Sequence, residues 1–110
     1  MIHRKVDEAV IARAGRLLVE AAPPGSAVYL FGSHARGDAG PGSDLDFLVV
    51  EPEVADQHGE MVRLRDVLRP LRIPADVVVT SREIFEQWRT TPNNVLYEAA
   101  REGRALHELG

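Results

Sequence analysis

Two carboxylates stand two residues apart in Asp44-Leu45-Asp46, at the start of the apolar run Phe47-Leu48-Val49-Val50. Side chains on a strand alternate faces, so Asp44 and Asp46 project from one side, about 6.5–7 Å apart along the chain. Like charges at the mouth of an apolar strand repel each other and resist burial. A divalent cation removes that conflict. Hard oxygen ligands on a rigid strand suit Mg2+, which takes one or two carboxylates together with substrate phosphates. Alone the pair is a weak signal, because Asp44 can equally cap a turn with Asp46 merely exposed. Upstream of Ser43, however, stands Gly32-Ser33-His34-Ala35-Arg36-Gly37, directly after a short apolar run. Glycine lets the backbone come close to a phosphate. Free N–H groups at a helix start bind the anion, and the Ser33 hydroxyl adds a donor. A plain strand-to-helix turn also fits those residues, but a phosphate cradle followed by a carboxylate pair is more specific than either half.

Together, Gly32-Ser33-His34-Ala35-Arg36-Gly37 and Ser43-Asp44-Leu45-Asp46 resemble the G-S-x-A-R-G…S-D-x-D signature of minimal nucleotidyltransferases, in the DNA polymerase β-like superfamily. Every signature position is filled. Asp76 sits where that family places its third carboxylate, and Asn94-Val95-Leu96-Tyr97-Glu98-Ala99-Ala100-Arg101-Glu102-Gly103 resembles its C-terminal helix. The resemblance implies an α+β nucleotidyltransferase fold like the palm of DNA polymerase β, a small mixed sheet covered by helices. It further implies that Gly32 and Ser33 hold a triphosphate and that Asp44, Asp46 and Asp76 carry two Mg2+ ions. Asp76 would orient or deprotonate the attacking hydroxyl. For Arg36 a phosphate contact and a structural salt bridge both stay open.

The surrounding elements must position these groups. Val6, Val10, Leu17, Leu18 and Ala21 share a helical face between Val6 and Ala22, and Pro23-Pro24-Gly25 stops the helix. Ala27–Phe31 reads as a buried strand, Gly32 to Gly42 as a glycine-rich connection whose first half can start a helix, and Asp44 to Val50 as a second strand. An amphipathic helix is expected over about Asp56 to Leu71, with Met61, Leu64, Val67, Leu68 and Leu71 inward and Pro70 ending or kinking its last turn. Ala75 to Thr80 is a third strand. Thr80-Ser81-Arg82-Glu83 resembles a capping box ahead of a helix through Trp88. A last helix, about Val95 to Glu102, is closed by Gly103 in the usual C-terminal position, and Arg104 to Glu108 is expected as a short edge strand. The loop and Asp44 then fall at one end of a helix-covered sheet.

Composition narrows the function classes. The 110 residues are 45% hydrophobic and 27% charged, without repeats or low-complexity segments, which points to one domain over residues 1–110. A net charge of −4 argues against stable binding to a nucleic-acid backbone. The absence of cysteine excludes a disulfide scaffold and cysteine-ligated zinc. No segment approaches the ~18 apolar residues of a membrane span, and the N-terminus turns acidic where a signal peptide needs an apolar core. These features lead to an expectation of a cytoplasmic protein with no membrane partner. His3, His58 and His107 form no ligand pattern, His34 falls at a variable motif position, and Asp38 reads as a solvated turn residue. Trp88, at helical spacing from Ile84 and Phe85, reads as core or interface.

The chain holds little beyond the catalytic core, so a partner protein is expected to present the acceptor. In the family it resembles, such domains are commonly antitoxins of an all-helical HEPN ribonuclease toxin. The resemblance therefore implies AMP transfer from ATP to a toxin hydroxyl, a tyrosine by preference. Two rivals are a non-catalytic antitoxin acting by occlusion and a nucleotidyltransferase acting on RNA or a small molecule.

Overall fold

The computed structural model describes residues 6–40 and 42–107. His3, Pro41 and the Glu108 end of the expected edge strand lie outside them. Helix α1, Glu8–Ala21, opens on Asp7, whose carboxylate accepts the Val10 N–H at 2.9 Å. Strand β1 covers Ala27–Phe31, followed by the single-turn α2, Ser33–Arg36. Strand β2 is Leu45–Glu51, and α3 spans Gln57–Val67 behind an Asp56 cap. A 3-10 turn over Arg69–Leu71 follows, since Pro70 cannot continue an α-helix. Strand β3, Ala75–Ser81, leads into α4, Arg82–Trp88. Helix α5, Val95–Glu102, is capped by the Asn94 side chain on the Tyr97 N–H, and β4, Arg104–His107, returns to the sheet.

The sheet runs β3-β2-β1-β4. Strand β1 is antiparallel to both β2 and β4, whereas β2 and β3 are parallel. A parallel pair needs a long crossover, and α3 supplies it. The Gln57 amide donates to the Val79 carbonyl at 2.7 Å and ties the start of α3 to edge strand β3. On one face α1 and α3 pack Ile11, Ala14, Leu18, Leu64 and Leu68 over Val28, Leu30, Leu45, Phe47, Val49 and Val77. On the other, Phe85 of α4 and Ala99 of α5 cover Ala27, Phe31, Leu48 and Val50. Burial of each such large side chain contributes about 1.5–3 kcal/mol.

Several expectations shift by a residue. Strand β2 begins at Leu45, whose N–H donates to the Pro74 carbonyl at 2.9 Å, so Asp44 is the exposed residue just before it. The cap of α4 is Ser81, whose hydroxyl accepts the Ile84 N–H at 3.2 Å. Thr80 pairs with Val50 inside the sheet and is buried. Gly103 has φ −75° rather than a left-handed conformation. It is glycine for space, because a Cβ there would collide with the Ala99 carbonyl oxygen. Phe85 is buried, while Ile84 and Trp88 are 42% and 45% exposed.

At the far end of β2 a second acidic group appears. Glu51 is 2% exposed, and its Oε2 has no hydrogen-bond partner among the described residues. Burial, then a hydrogen bond shared with Glu60, pushes the Glu51 carboxyl up. Arg63 grips Glu60 with two contacts, 2.8 and 2.7 Å, and these with the Glu51 hydrogen bond hold Glu60 down.

Candidate active site

Strand directions bring the site together. Because β1 runs against β2, the C-terminal end of β1 lies beside the start of β2, and the parallel β3 starts at the same edge. Phe31 pairs with Asp46, and Asp46 pairs with Asp76, giving one row across three strands. Register partners share a face, so the Asp46 and Asp76 side chains rise from the same side of the sheet. Asp44 stands immediately outside β2. The three residues proposed from the sequence thus meet at one end of the sheet, beside the Gly32–Ser33 turn.

Gly32 has φ +79°, a conformation that L side chains rarely adopt, and a Cβ on it would collide with Asp46 Oδ2. Its glycine identity is thus required twice, by conformation and by proximity to the carboxylate. The Ser33 hydroxyl, half-buried, makes no hydrogen bond to the described residues, and the first N–H groups of α2 have no partner within that turn. The two ends of the loop are pinned together: His34 Nε2 lies 3.1 Å from the Ser43 carbonyl, and the Gly40 N–H donates to Ser43 Oγ at 3.0 Å. Ser43 therefore holds the turn that delivers Asp44.

Charge is concentrated here. Burial first, then the negative charges of Asp76, Asp44 and Glu98, hold the Asp46 carboxyl above its ordinary range, with His34 acting the other way. Glu98 was not singled out by sequence reasoning. It reaches the site from α5 and pairs with Arg36 at 3.1 Å, while Arg36 also contacts Asp38 at 3.3 Å. Arg36 thus serves as a tie between α2 and α5 in this structure. Its pairs are partly exposed and contribute about 0–1 kcal/mol each.

A cavity of about 360 Å3 opens beside Asp46 and Asp76, bounded by Phe31, Met61, Val62 and Val95. His58, set aside on sequence grounds, is on its wall, whereas His107 lies on β4. Among the described residues no three His, Cys, Asp or Glu form a ready-made metal-ligand set. Even so, the donor chemistry fits a divalent cation, since mutually repelling carboxylates around a half-buried Asp46 are what a cation relieves, with phosphate oxygens completing the shell.

A nucleotidyltransferase domain model matches residues 16–101, and the chain belongs to that family. The fold is that of solved nucleotidyltransferase structures. A toxin–antitoxin complex with AMP-PNP matches with a TM-score of 0.56 at 22% identity, over 94% of this chain and 75% of that one. A toxin–antitoxin MntA–HpeT mutant matches with a TM-score of 0.59 at 19% identity, over 94% and 75%. A tri-AMPylated Shewanella oneidensis HEPN toxin in complex with MNT antitoxin matches with a TM-score of 0.54 at 18% identity, over 94% and 74%. No curated protein matches significantly. No helix among the described residues is long and apolar enough to cross a membrane.

Proposed function

We propose that this chain is a Mg2+-dependent protein adenylyltransferase that transfers AMP from ATP to a hydroxyl, by preference a tyrosine, of a HEPN-type ribonuclease toxin, and so acts as its antitoxin. The observation that carries the reading is the row Asp46–Asp76 across the parallel pair, flanked by Gly32 pressed against Asp46. The complexes of MNT antitoxins with HEPN toxins among the matching folds support the choice of acceptor.

Asp44, Asp46 and Asp76 would hold the metal ions. When bound, Mg2+ neutralises charge on the phosphates and makes the hydroxyl easier to deprotonate. The chain's own groups do the positioning. Gly32 and Ser33 hold the β- and γ-phosphates through N–H groups and the Ser33 hydroxyl. Asp76 orients the acceptor hydroxyl and accepts its proton. The acceptor oxygen bonds to the α-phosphorus as the bond to the bridging oxygen breaks, and pyrophosphate leaves with that electron pair.

The test is intact-mass measurement of a HEPN toxin co-expressed with this chain. Covalent silencing predicts mass increments of one AMP, absent with the Asp76→Asn variant, which also fails to protect cells while still binding the toxin. Full protection by a stable Asp76→Asn variant with no added mass would establish occlusion instead.

A further inference from the structure

The three carboxylates of the site are not held alike. Asp46 lies in register with Phe31 on one side and Asp76 on the other, so paired strands fix the backbone at both. Asp44 stands before the first paired residue of β2 and is exposed. The segment that leads to it has little stiffness of its own. Gly37 and Gly42 both take positive φ, +84° and +79°, and no described residue from Gly37 to Asp44 joins or packs against either core cluster. A loop without buried apolar contacts opens at small cost.

Two hydrogen bonds stand in for the missing strand pairing. A peptide unit is planar, so a bond to one of its atoms restrains the whole unit, and a residue between two restrained units has little freedom left in φ and ψ. On the C-terminal side of Asp44, the Leu45 N–H donates to the Pro74 carbonyl at 2.9 Å. On the N-terminal side, the Ser43 carbonyl lies 3.1 Å from His34 Nε2. A carbonyl oxygen only accepts, so that nitrogen carries the proton. The remaining bonds of Ser43, both to Gly40, close the turn on itself and do not anchor it to a neighbouring element. The clamp on Asp44 therefore has one jaw at the entrance to β3 and the other on α2.

Resting on the nucleotidyltransferase reading, we propose that His34 is a positioning residue, whose Nε2–H, acting through the Ser43 carbonyl, holds the Asp44 carboxylate where it can share a divalent cation with Asp46. His34 directly follows Ser33. The turn assigned to phosphate and the carboxylate assigned to metal are thus tied to the same four-residue helix. The histidine matters for its donated bond, and neither its charge nor its ring volume is needed.

Three variants separate those roles. His34→Gln keeps an N–H donor at about the reach of Nε2, His34→Phe keeps the ring without a donor, and His34→Ala removes both. Mn2+, standing in for Mg2+, is titrated into each protein with α,β-methylene ATP present and followed by electron paramagnetic resonance. Exchange of the Gly40 and Ser43 amides is followed by NMR in the metal-free protein. Losing a group that orients a metal ligand costs about 10–100-fold in metal affinity, so His34→Phe and His34→Ala should bind Mn2+ at least about tenfold more weakly than the parent. Their Gly40 and Ser43 amides should exchange faster while those of β2 stay at parental rates, and His34→Gln should recover most of both properties. Equal Mn2+ affinity in the parent and all three variants overturns the proposal. So does a His34→Phe variant that matches His34→Gln, which would make ring volume the reason for the histidine. Exchange in the metal-free protein separates this proposal from the reading beneath it. A parent that binds no Mn2+ removes the metal assignment, and the positioning role with it, whereas unchanged exchange in His34→Ala removes the clamp alone.

Discussion

Gly32 and Asp46 are in contact across the antiparallel pair of β1 and β2, so closely that no side chain fits between them. Gly32→Ala must therefore move either the turn or the carboxylate, while also adopting a positive φ that alanine disfavours by about 1–3 kcal/mol. We expect a stability loss of that order in urea unfolding, and transfer activity lowered further than stability explains. An alanine variant with parental turnover would mean that the Asp46 position does not matter to the reaction.

Asp44→Asn and Asp46→Asn should each abolish transfer at saturating Mg2+ without unfolding the chain. For Asp46 the sign of the stability change follows from its environment. Its folded pKa is raised above the ordinary 3.8, by burial first and by its neighbours next. The resulting contribution to stability is present below pH 3.8 and is lost as pH rises through the folded value. At neutral pH, Asp46→Asn should accordingly melt at or above the parent's temperature, an advantage that fades in acid. Thermal melts in chelator at pH 7 and pH 3.5 measure this. Near-normal turnover by either variant would defeat the metal assignment.

Ser33→Ala should weaken nucleotide binding with little effect on folding, since the hydroxyl has no partner within the described protein. A hydrogen bond to a charged group contributes roughly 1.5–3 kcal/mol, or about one to two decades of affinity. Unchanged ATP affinity in calorimetry would remove the Ser33 hydroxyl from the site.

The Glu51–Glu60 pair predicts a pH dependence unrelated to catalysis. The Glu51 value is raised from 4.5 to about 8, so its contribution to stability is complete below pH 4.5 and is lost as pH rises toward 8. Glu60 is lowered from 4.5 to about 2, so its contribution is complete above pH 4.5 and is lost toward pH 2. Glu51→Gln keeps a neutral donor toward Glu60 and cannot ionise. Its urea midpoint should therefore gain on the parent's between pH 5 and pH 8. Parallel curves over that range would show that Glu51 is already ionised in the folded protein.

Legibility in the sequence tracked locality. Strand β1 and helix α5 matched to the residue because each is bounded by punctuation, Gly25-Ser26 and Gly32 for one, Asn94 and Gly103 for the other. The Gly32–Asp46 constellation was readable because fewer than twenty residues carry it. Errors arose where distant partners decide. Asp44 lies outside β2 because pairing starts between Leu45 and the chain ahead of β3, and Thr80 stays in the sheet opposite Val50. On α1 the small residues Ala14 and Gly15 are buried, which no hydrophobicity pattern emphasises; Gly15 faces Leu106, where a Cβ would come within 3.0 Å. Glu98 was hidden because its partner Arg36 lies 62 positions away.

Placing Asp76 on a parallel edge strand has a consequence for the order in which function appears during synthesis. The turn from Gly32 to Asp46 joins two antiparallel neighbours and forms from local contacts. Asp76 arrives only after the crossover through α3 has folded and β3 has docked, a non-local step that pays its loop-closure entropy late. A nascent or partly opened chain therefore displays the Gly32–Ser33 turn without Asp76 beside it. On the proposed function, nucleotide that requires the full row would bind only the finished sheet and shift the folding equilibrium toward it. On the same proposal, loading with substrate becomes a checkpoint passed only by molecules in which β3 has paired with β2.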